Sequence, residues 1–163
     1  MSNKENGVIA LAGLTAIGVI ALDQITKVLA RNAATGSGGD ELLGGLIKIV
    51  DVRNSGVAFG QLSGGGIIVP TVVALALIAL LWYFLKHLGT PLIWLATGLV
   101  IGGAVGNIID RVRAGAVSDF IKLPHWPAFN LADAAITVGV IALVVLVELD
   151  ARRQRRSGTA DAN

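Results

Sequence analysis

Four long apolar segments divide the chain. They run from about residue 7 to 30, 66 to 85, 89 to 109 and 127 to 147. Residues 6 to 22 carry no charge, and the later segments end at Lys86, Asp110 and Glu148. A hydrocarbon core of ~30 Å needs roughly 20 helical residues, so each segment is long enough, or nearly so, to cross a bilayer. The pattern predicts an all-α membrane protein with four transmembrane helices.

The connections between these segments differ in length. A short turn around Leu88 joins the second and third, whereas a long loop, 31–65, joins the first and second. Within this loop, residues 46–53 are rich in β-branched side chains and are bounded by glycines and Asn-Ser-Gly, which predicts a small β element. We therefore expect one membrane domain over residues 1–150, followed by a basic, disordered tail over 151–163.

The first apolar segment has a second interpretation. Lys4 precedes it, as in a cleaved signal peptide. The apolar run is long, however, and it continues into the polar stretch LDQITK at 22–27 without a convincing small-residue cleavage site. A retained membrane helix is the better prediction.

Composition agrees with a membrane protein and narrows its chemistry. The chain is 54% hydrophobic and only 15% charged, and its net charge of +2 is too small to indicate nucleic-acid binding. It has no cysteine, which excludes disulfides, thiolate catalysis and cysteine-ligated metals. The basic block 152–156 and Lys86 favour a cytoplasmic position for both termini. More basic residues lie on the opposite side, but acidic residues are interleaved with them.

Polar residues gather at the predicted outer ends of the segments, and helical spacing places several of them on shared faces. They are Asp23 with Lys27, Asn107 with Asp110 and Arg111, and Asn130 with Asp133, while Asn54 and Asp119 lie in the loops. Each group has a simpler structural explanation. Asp23 and Lys27 can form an ion pair, Asp110 and Arg111 an interfacial charge pair, and Asn130 and Asp133 a helix cap. Their convergence on one side favours a functional site.

The chemistry open to this set is limited. His87 and His125 fall on opposite sides of the predicted membrane, and no metal-binding motif is present, so we expect neither serine–histidine catalysis nor a metal or other cofactor. Two aspartates, Asp119 and Asp133, remain. Adjacent carboxylates cannot both ionise easily, so one keeps a proton while the other activates water, which is aspartic protease chemistry. The fourteen-residue separation allows them to meet without proving it.

Two other classes fit the same residues. A small ion- or proton-coupled transporter also places carboxylates in a membrane bundle, although near the midplane and reachable from both sides. A structural or assembly protein would use the polar end to bind a partner.

Five motifs resemble the lipoprotein signal peptidases, the signal peptidase II family. They occur in the family's order and span roughly residues 8 to 150: LDQITK (22–27), NSGVAFG (54–60), GGAVGNIIDR (102–111), VSDF (117–120) and FNLADAAI (129–136). Ser55 stands where threonine is common in the family, and Ser118 where valine is common. Neither departure removes a chemical group that the activity needs.

The resemblance implies a four-span aspartic endopeptidase of the bacterial cytoplasmic membrane, with its active site on the extracytoplasmic side and both termini in the cytoplasm. It would remove the signal peptide from a prolipoprotein just before a cysteine that carries a diacylglyceryl group. Asp119 and Asp133 would be the catalytic pair. Pocket residues would be Asn54, Asn107, Arg111 and Asn130, with Asp23, Lys27 and Asp110 as structural support. Its partners would be the lipid-modified substrate and membrane lipid, without nucleic acid, and the enzyme would be a monomer.

Overall fold

Four helices form the body of the protein. A computed structural model describes residues 2–33, 41–55 and 68–160. The helices are α1 (Asn3–Ala33), α2 (Ile68–Lys86), α3 (Ile93–Ala114) and α4 (Leu131–Ala160). Within the described residues, three stretches are long and apolar enough to span a membrane, namely Asn3–Ala33, Ile93–Ala114 and Leu131–Arg153. The prediction of a helical membrane protein is confirmed, while the crossing by α2 stays a prediction.

The distribution of polar and apolar side chains is inverted relative to a soluble protein. Large apolar residues such as Leu14, Ile17 and Ile78 are exposed on the outside of the helices. Several charged and amide side chains, in contrast, are buried between them. Lipid can solvate the outer face, whereas ionisable groups must find partners inside the bundle.

Helix α3 lies between α1 and α4 and packs closely against both. Glycines permit this approach. A Cβ atom on Gly102 would lie 2.7 Å from Val19 Cβ, and one on Gly106 would lie 2.7 Å from Asp23 Oδ2. Small residues at such positions bring helix backbones together and thereby allow side chains from neighbouring helices to share hydrogen bonds.

A small antiparallel sheet covers one end of the bundle. It contains β1 (Glu41–Leu42), β2 (Ile47–Asn54) and β3 (Val117–Lys122) in the order β1-β2-β3. The strand expected over 46–53 is confirmed as β2, and its partner β3 comes from the connection between α3 and α4. Residues 34–40 and 56–65 of the predicted 31–65 loop, and the beginning of the predicted second segment, lie outside the described residues.

The C-terminal segment differs from expectation. Residues 151–163 were expected to form a disordered tail, but α4 continues to Ala160. One local interaction supports the extension, since Arg152 Nε donates to Glu148 Oε1 at 2.7 Å one turn earlier. Residues 161–163 lie outside the described part of the chain.

Candidate active site

A return of the chain after β3 brings the two aspartates together. Beyond Lys122 the backbone turns, and Phe129 then pairs with Ile121 through N–H···O bonds of 2.9 and 3.0 Å. This places Asn130 beside β3, where its Nδ2 donates to Asp119 Oδ1 at 2.7 Å. Asp133 follows three residues later, in the first turn of α4. The thirteen residues between the two aspartates therefore form a hairpin-like return rather than an open loop.

Asn130 also caps α4. Its Oδ1 accepts from the Asp133 backbone N–H at 2.9 Å, while its own backbone N–H donates to Asp133 Oδ2 at 3.3 Å. This reciprocal pair is a capping box, so the simple structural interpretation of Asn130 and Asp133 is confirmed. The same asparagine nevertheless contacts Asp119. Asn130 thus caps α4 and links the two aspartates at the same time.

Each carboxylate oxygen of the aspartate pair, Asp119 and Asp133, accepts an N–H donor. The contacts made by Asn130 cover one oxygen of each. Asn54 Nδ2 donates to Asp119 Oδ2 at 2.9 Å, and Asn107 Nδ2 donates to Asp133 Oδ1 at 2.8 Å. Asn54 can reach because it pairs with Val117, which puts it on the same sheet face as Asp119 two residues further on.

Burial sets the electrostatics of Asp119, which is only 2% exposed. Desolvation raises the pKa of Asp119 above its ordinary value, and the neighbouring charge of Asp133 raises it further. The amide donors Asn54 and Asn130 act in the opposite direction, as does the more distant charge of Lys27, without cancelling the effect of burial. Asp119 therefore holds a proton more tightly than an ordinary aspartate does, and it shares Asn130 with a second carboxyl group, that of Asp133.

A buried cluster of charged side chains around Lys27 is linked to the aspartate pair through Asn107. Lys27 Nζ lies 2.7 Å from Asp23 Oδ2, 2.9 Å from Asp110 Oδ2 and 3.1 Å from Asn107 Oδ1. The predicted Asp23–Lys27 ion pair is thus confirmed. Asp110 faces this lysine, rather than forming the interfacial pair with Arg111 that its position in the sequence suggested.

Sequence reasoning did not single out Gln24 and did not assign a contact to Ser118. Gln24 Nε2 donates to Asp110 Oδ1 at 3.0 Å, and the Ser118 backbone N–H donates to Asp110 Oδ2 at 3.1 Å. Arg31 Nη1 also reaches Ser118 Oγ, at 3.3 Å. Gln24 was detectable in principle, because it adds an amide to Asp23 at the end of an apolar segment. The Ser118 contact depends on tertiary packing and has no local signal.

Other predicted residues lie outside the cluster. Arg111 is exposed, and its Nη1 lies 3.4 Å from the Asn107 carbonyl. His125 is exposed in the turn after β3, and His87 stacks on Tyr83 with ring centroids 4.0 Å apart. Over the described ranges, no group of three or more His, Cys, Asp or Glu residues is placed to hold a metal.

Apolar helices packed around a buried polar site have the architecture of a membrane enzyme. Comparison with solved structures agrees. The chain is similar to a bacterial membrane enzyme determined by the in meso method at 1.9 Å resolution, with a TM-score of 0.77 and 33% sequence identity. The likeness covers 85% of this chain and 93% of that one.

Sequence comparisons identify the family. A family model described as signal peptidase (SPase) II matches residues 15–149. The lipoprotein signal peptidase of Syntrophomonas wolfei is 40% identical over 139 residues, covering 85% of this chain and 93% of that protein. That of Moorella thermoacetica is 40% identical over 144 residues, covering 88% and 96%. The chain belongs to the signal peptidase II family and is a membrane protease, which decides against the transporter and assembly-protein interpretations.

Proposed function

We propose that this protein removes signal peptides from prolipoproteins that carry a diacylglyceryl group, cutting just before the modified cysteine. Asp119 and Asp133 are the catalytic pair in this proposal. The observation that carries it is the bridge through Asn130, whose side-chain NH₂ donates to Asp119 and whose backbone N–H donates to Asp133 at one end of a membrane bundle. Its relatives are named lipoprotein signal peptidases, which supports the substrate class.

The proposed chemistry uses one proton shared by the aspartate pair. In this scheme we assign the shared proton to Asp119, in keeping with the direction in which burial shifts its pKa. Asp133 accepts a proton from water as the water oxygen attacks the scissile carbonyl, and Asp119 donates its proton to the carbonyl oxygen. When the intermediate collapses, Asp133 protonates the leaving nitrogen and Asp119 recovers its proton. No metal or other cofactor takes part in this scheme.

The surrounding amides support this chemistry by having fixed orientations. Asn107 Oδ1 accepts from Lys27 Nζ and from Asn130 Nδ2, so its Nδ2 must face Asp133. Asn130 is fixed in the same way, since its Oδ1 accepts the Asp133 backbone N–H and its Nδ2 faces Asp119. Lys27 is thus a positioning residue that acts through Asn107. Preorganised donors of this kind need no rearrangement during the reaction.

The remaining assignments follow the same proposal. Asn54 and Arg111 are both exposed, and in this proposal they contact the substrate. The site lies on the extracytoplasmic side of a bacterial cytoplasmic membrane, at the end where a lipid-anchored cysteine meets water. Asp23 and Asp110 support the site through Lys27. The enzyme acts as a monomer within membrane lipid.

The substrate claim is tested with the purified full-length chain in detergent. Two forms of one prolipoprotein are compared, one with the diacylglyceryl group on its cysteine and one with that cysteine unmodified, and the products are identified by mass spectrometry. We expect cleavage of the modified form directly before the cysteine and little cleavage of the other. Equal cleavage of both forms, or a cut elsewhere, would contradict the proposal.

A further inference from the structure

A groove between α2 and α4 is not used by the chemistry described above. Its volume is about 450 Å³. The lining is aliphatic except near one end, where a tyrosine and a glutamate contribute: it includes Leu80 and Tyr83 of α2, and Leu143, Val144, Val147 and Glu148 of α4. Both walls belong to apolar helices of a membrane protein, so the groove offers an apolar molecule two surfaces rather than one.

The groove continues a surface that begins at the aspartate pair. Positions 133, 137, 140, 144 and 147 follow one another at spacings of four and three residues, which places them on one face of α4. Thr137 is exposed, as are Val140 (45%), Val144 (64%) and Val147 (42%). An exposed, mainly apolar stripe therefore runs from Asp133 to the groove.

The length of this stripe matches one kind of ligand. Asp133 and Glu148 are 15 residues apart in α4 (148 minus 133), or roughly 22 Å along the axis. The apolar region of a signal peptide has about 7–15 residues, which as a helix spans roughly 10–22 Å. A substrate whose scissile bond lies next to Asp133 would have an apolar segment long enough to follow the stripe and to end within the groove.

We propose that the apolar segment of the substrate's signal peptide docks as a helix along this stripe and in the groove between α2 and α4. This inference rests on the proposed function and adds to it the position of the substrate's membrane segment. In lipid, helices associate through close packing of their side chains, and the aliphatic walls supply that packing. Recognition then depends on the length and shape of the apolar segment as well as on the lipid at the cleavage site.

Cross-linking tests the docking without requiring turnover. The chain has no native cysteine. Val144→Cys is compared with Val145→Cys, which is similarly exposed (51%) but about 100° further around α4. Both are made in the Asp119→Asn background and treated with a short bismaleimide and a lipidated prolipoprotein. That substrate carries one added cysteine in its apolar segment, and the sulfur of its lipid-modified cysteine is already alkylated.

We expect several-fold more cross-linked substrate at position 144 than at 145. Equal yields, or no cross-link at 144 from bound substrate, would overturn the inference. So would cross-links between two copies of the enzyme at 144 that persist with substrate present, since a second copy would then occupy the groove.

Steady-state kinetics provide a second test of the docking inference. Val144→Trp fills the groove and should raise KM several-fold with little change in kcat, while Val145→Trp should leave both unchanged. If the wild type cleaves and the two tryptophan variants match it with retained Tm, lipid fills the groove and the docking inference fails while the proposed function stands. If the wild type cleaves no lipidated substrate, the proposed function fails instead, and cross-linking still decides whether the segment binds.

Discussion

The orientations of individual side-chain amides determine which hydrogen-bonding groups face the aspartate pair. Asn107 and Asn130 each present an oxygen to one neighbour and an NH₂ group to another, and the fixed partners leave no alternative orientation. The aspartate pair is consequently surrounded by donors. Donors favour ionised carboxylates, whereas burial favours the neutral form, and for Asp119 burial is the stronger effect.

The raised pKa of Asp119 predicts how replacing its carboxyl group changes the Tm of the protein at different pH values. Below the unfolded-state pKa of about 3.9, Asp119 is protonated in both states and its burial costs no charge desolvation. As the pH rises through the higher folded-state pKa, the folded protein must bury a charge, so this cost grows. The Tm of Asp119→Asn minus that of the wild type should therefore increase between about pH 4 and pH 8. Melting curves in detergent across this range measure it, and a difference that falls with pH would refute the prediction.

Lys27 permits a comparison between a buried and an exposed ion pair. Lys27→Met leaves Asp23 and Asp110 buried without their cation, and we expect a loss of about 3–5 kcal/mol in unfolding free energy. Lys48→Met removes the exposed partner of Glu41 and should cost no more than about 1 kcal/mol. Denaturation of the two variants beside the wild type tests this. Similar losses would mean that the buried cluster does not stabilise the protein.

At the scale of elements, the sequence predicted local structure better than contacts between elements. The β-branched residues of 46–53 indicated the strand, and the spacing of Asn130 and Asp133 indicated the cap. The pairing of Phe129 with Ile121 was not readable, because the turn between them contains no regular pattern. Likewise, Asp110 was assigned to Arg111, its neighbour in sequence, whereas its true partner Lys27 lies on another helix.

The close contact between α1 and α3 was also missed, and it gives a test. Gly106→Ala would place a methyl group against Asp23 Oδ2, so we expect a loss of about 1–3 kcal/mol in unfolding free energy and reduced activity. Gly13→Ala is the matched control, because no atom lies within 4 Å of its added Cβ. It should be neutral or stabilise α1 by up to roughly 1 kcal/mol. Equal unfolding free energies for the two variants would contradict the close contact between α1 and α3.

At the scale of the whole molecule, the inverted distribution of side chains explains why hydropathy was so informative. Lipid-facing residues make up the long apolar runs, and the few polar interruptions become the buried site. The crossing by α2 stays a prediction, because its apolar stretch within the described residues, Leu75–Lys86, is shorter than those of the other helices.

Four crossings would place β2 and the end of α2 on opposite sides of the membrane. Lys48→Cys should then react with an impermeant maleimide in spheroplasts, whereas Lys86→Cys should react only after permeabilisation. The cysteine-free sequence provides the background for both variants. Labelling of both positions from outside would contradict a four-span topology.

The central claim is that Asp119 and Asp133 together perform the hydrolysis, and single-turnover cleavage of a diacylglyceryl-modified prolipoprotein tests it most directly. The wild type is measured beside Asp119→Asn, Asp133→Asn and the control Asp51→Asn, whose side chain is exposed on β2. We predict that each of the first two substitutions lowers the cleavage rate by roughly 10²–10⁴-fold without loss of folded protein, and that Asp51→Asn cleaves as the wild type does. Near wild-type cleavage by either Asp119→Asn or Asp133→Asn would contradict the account.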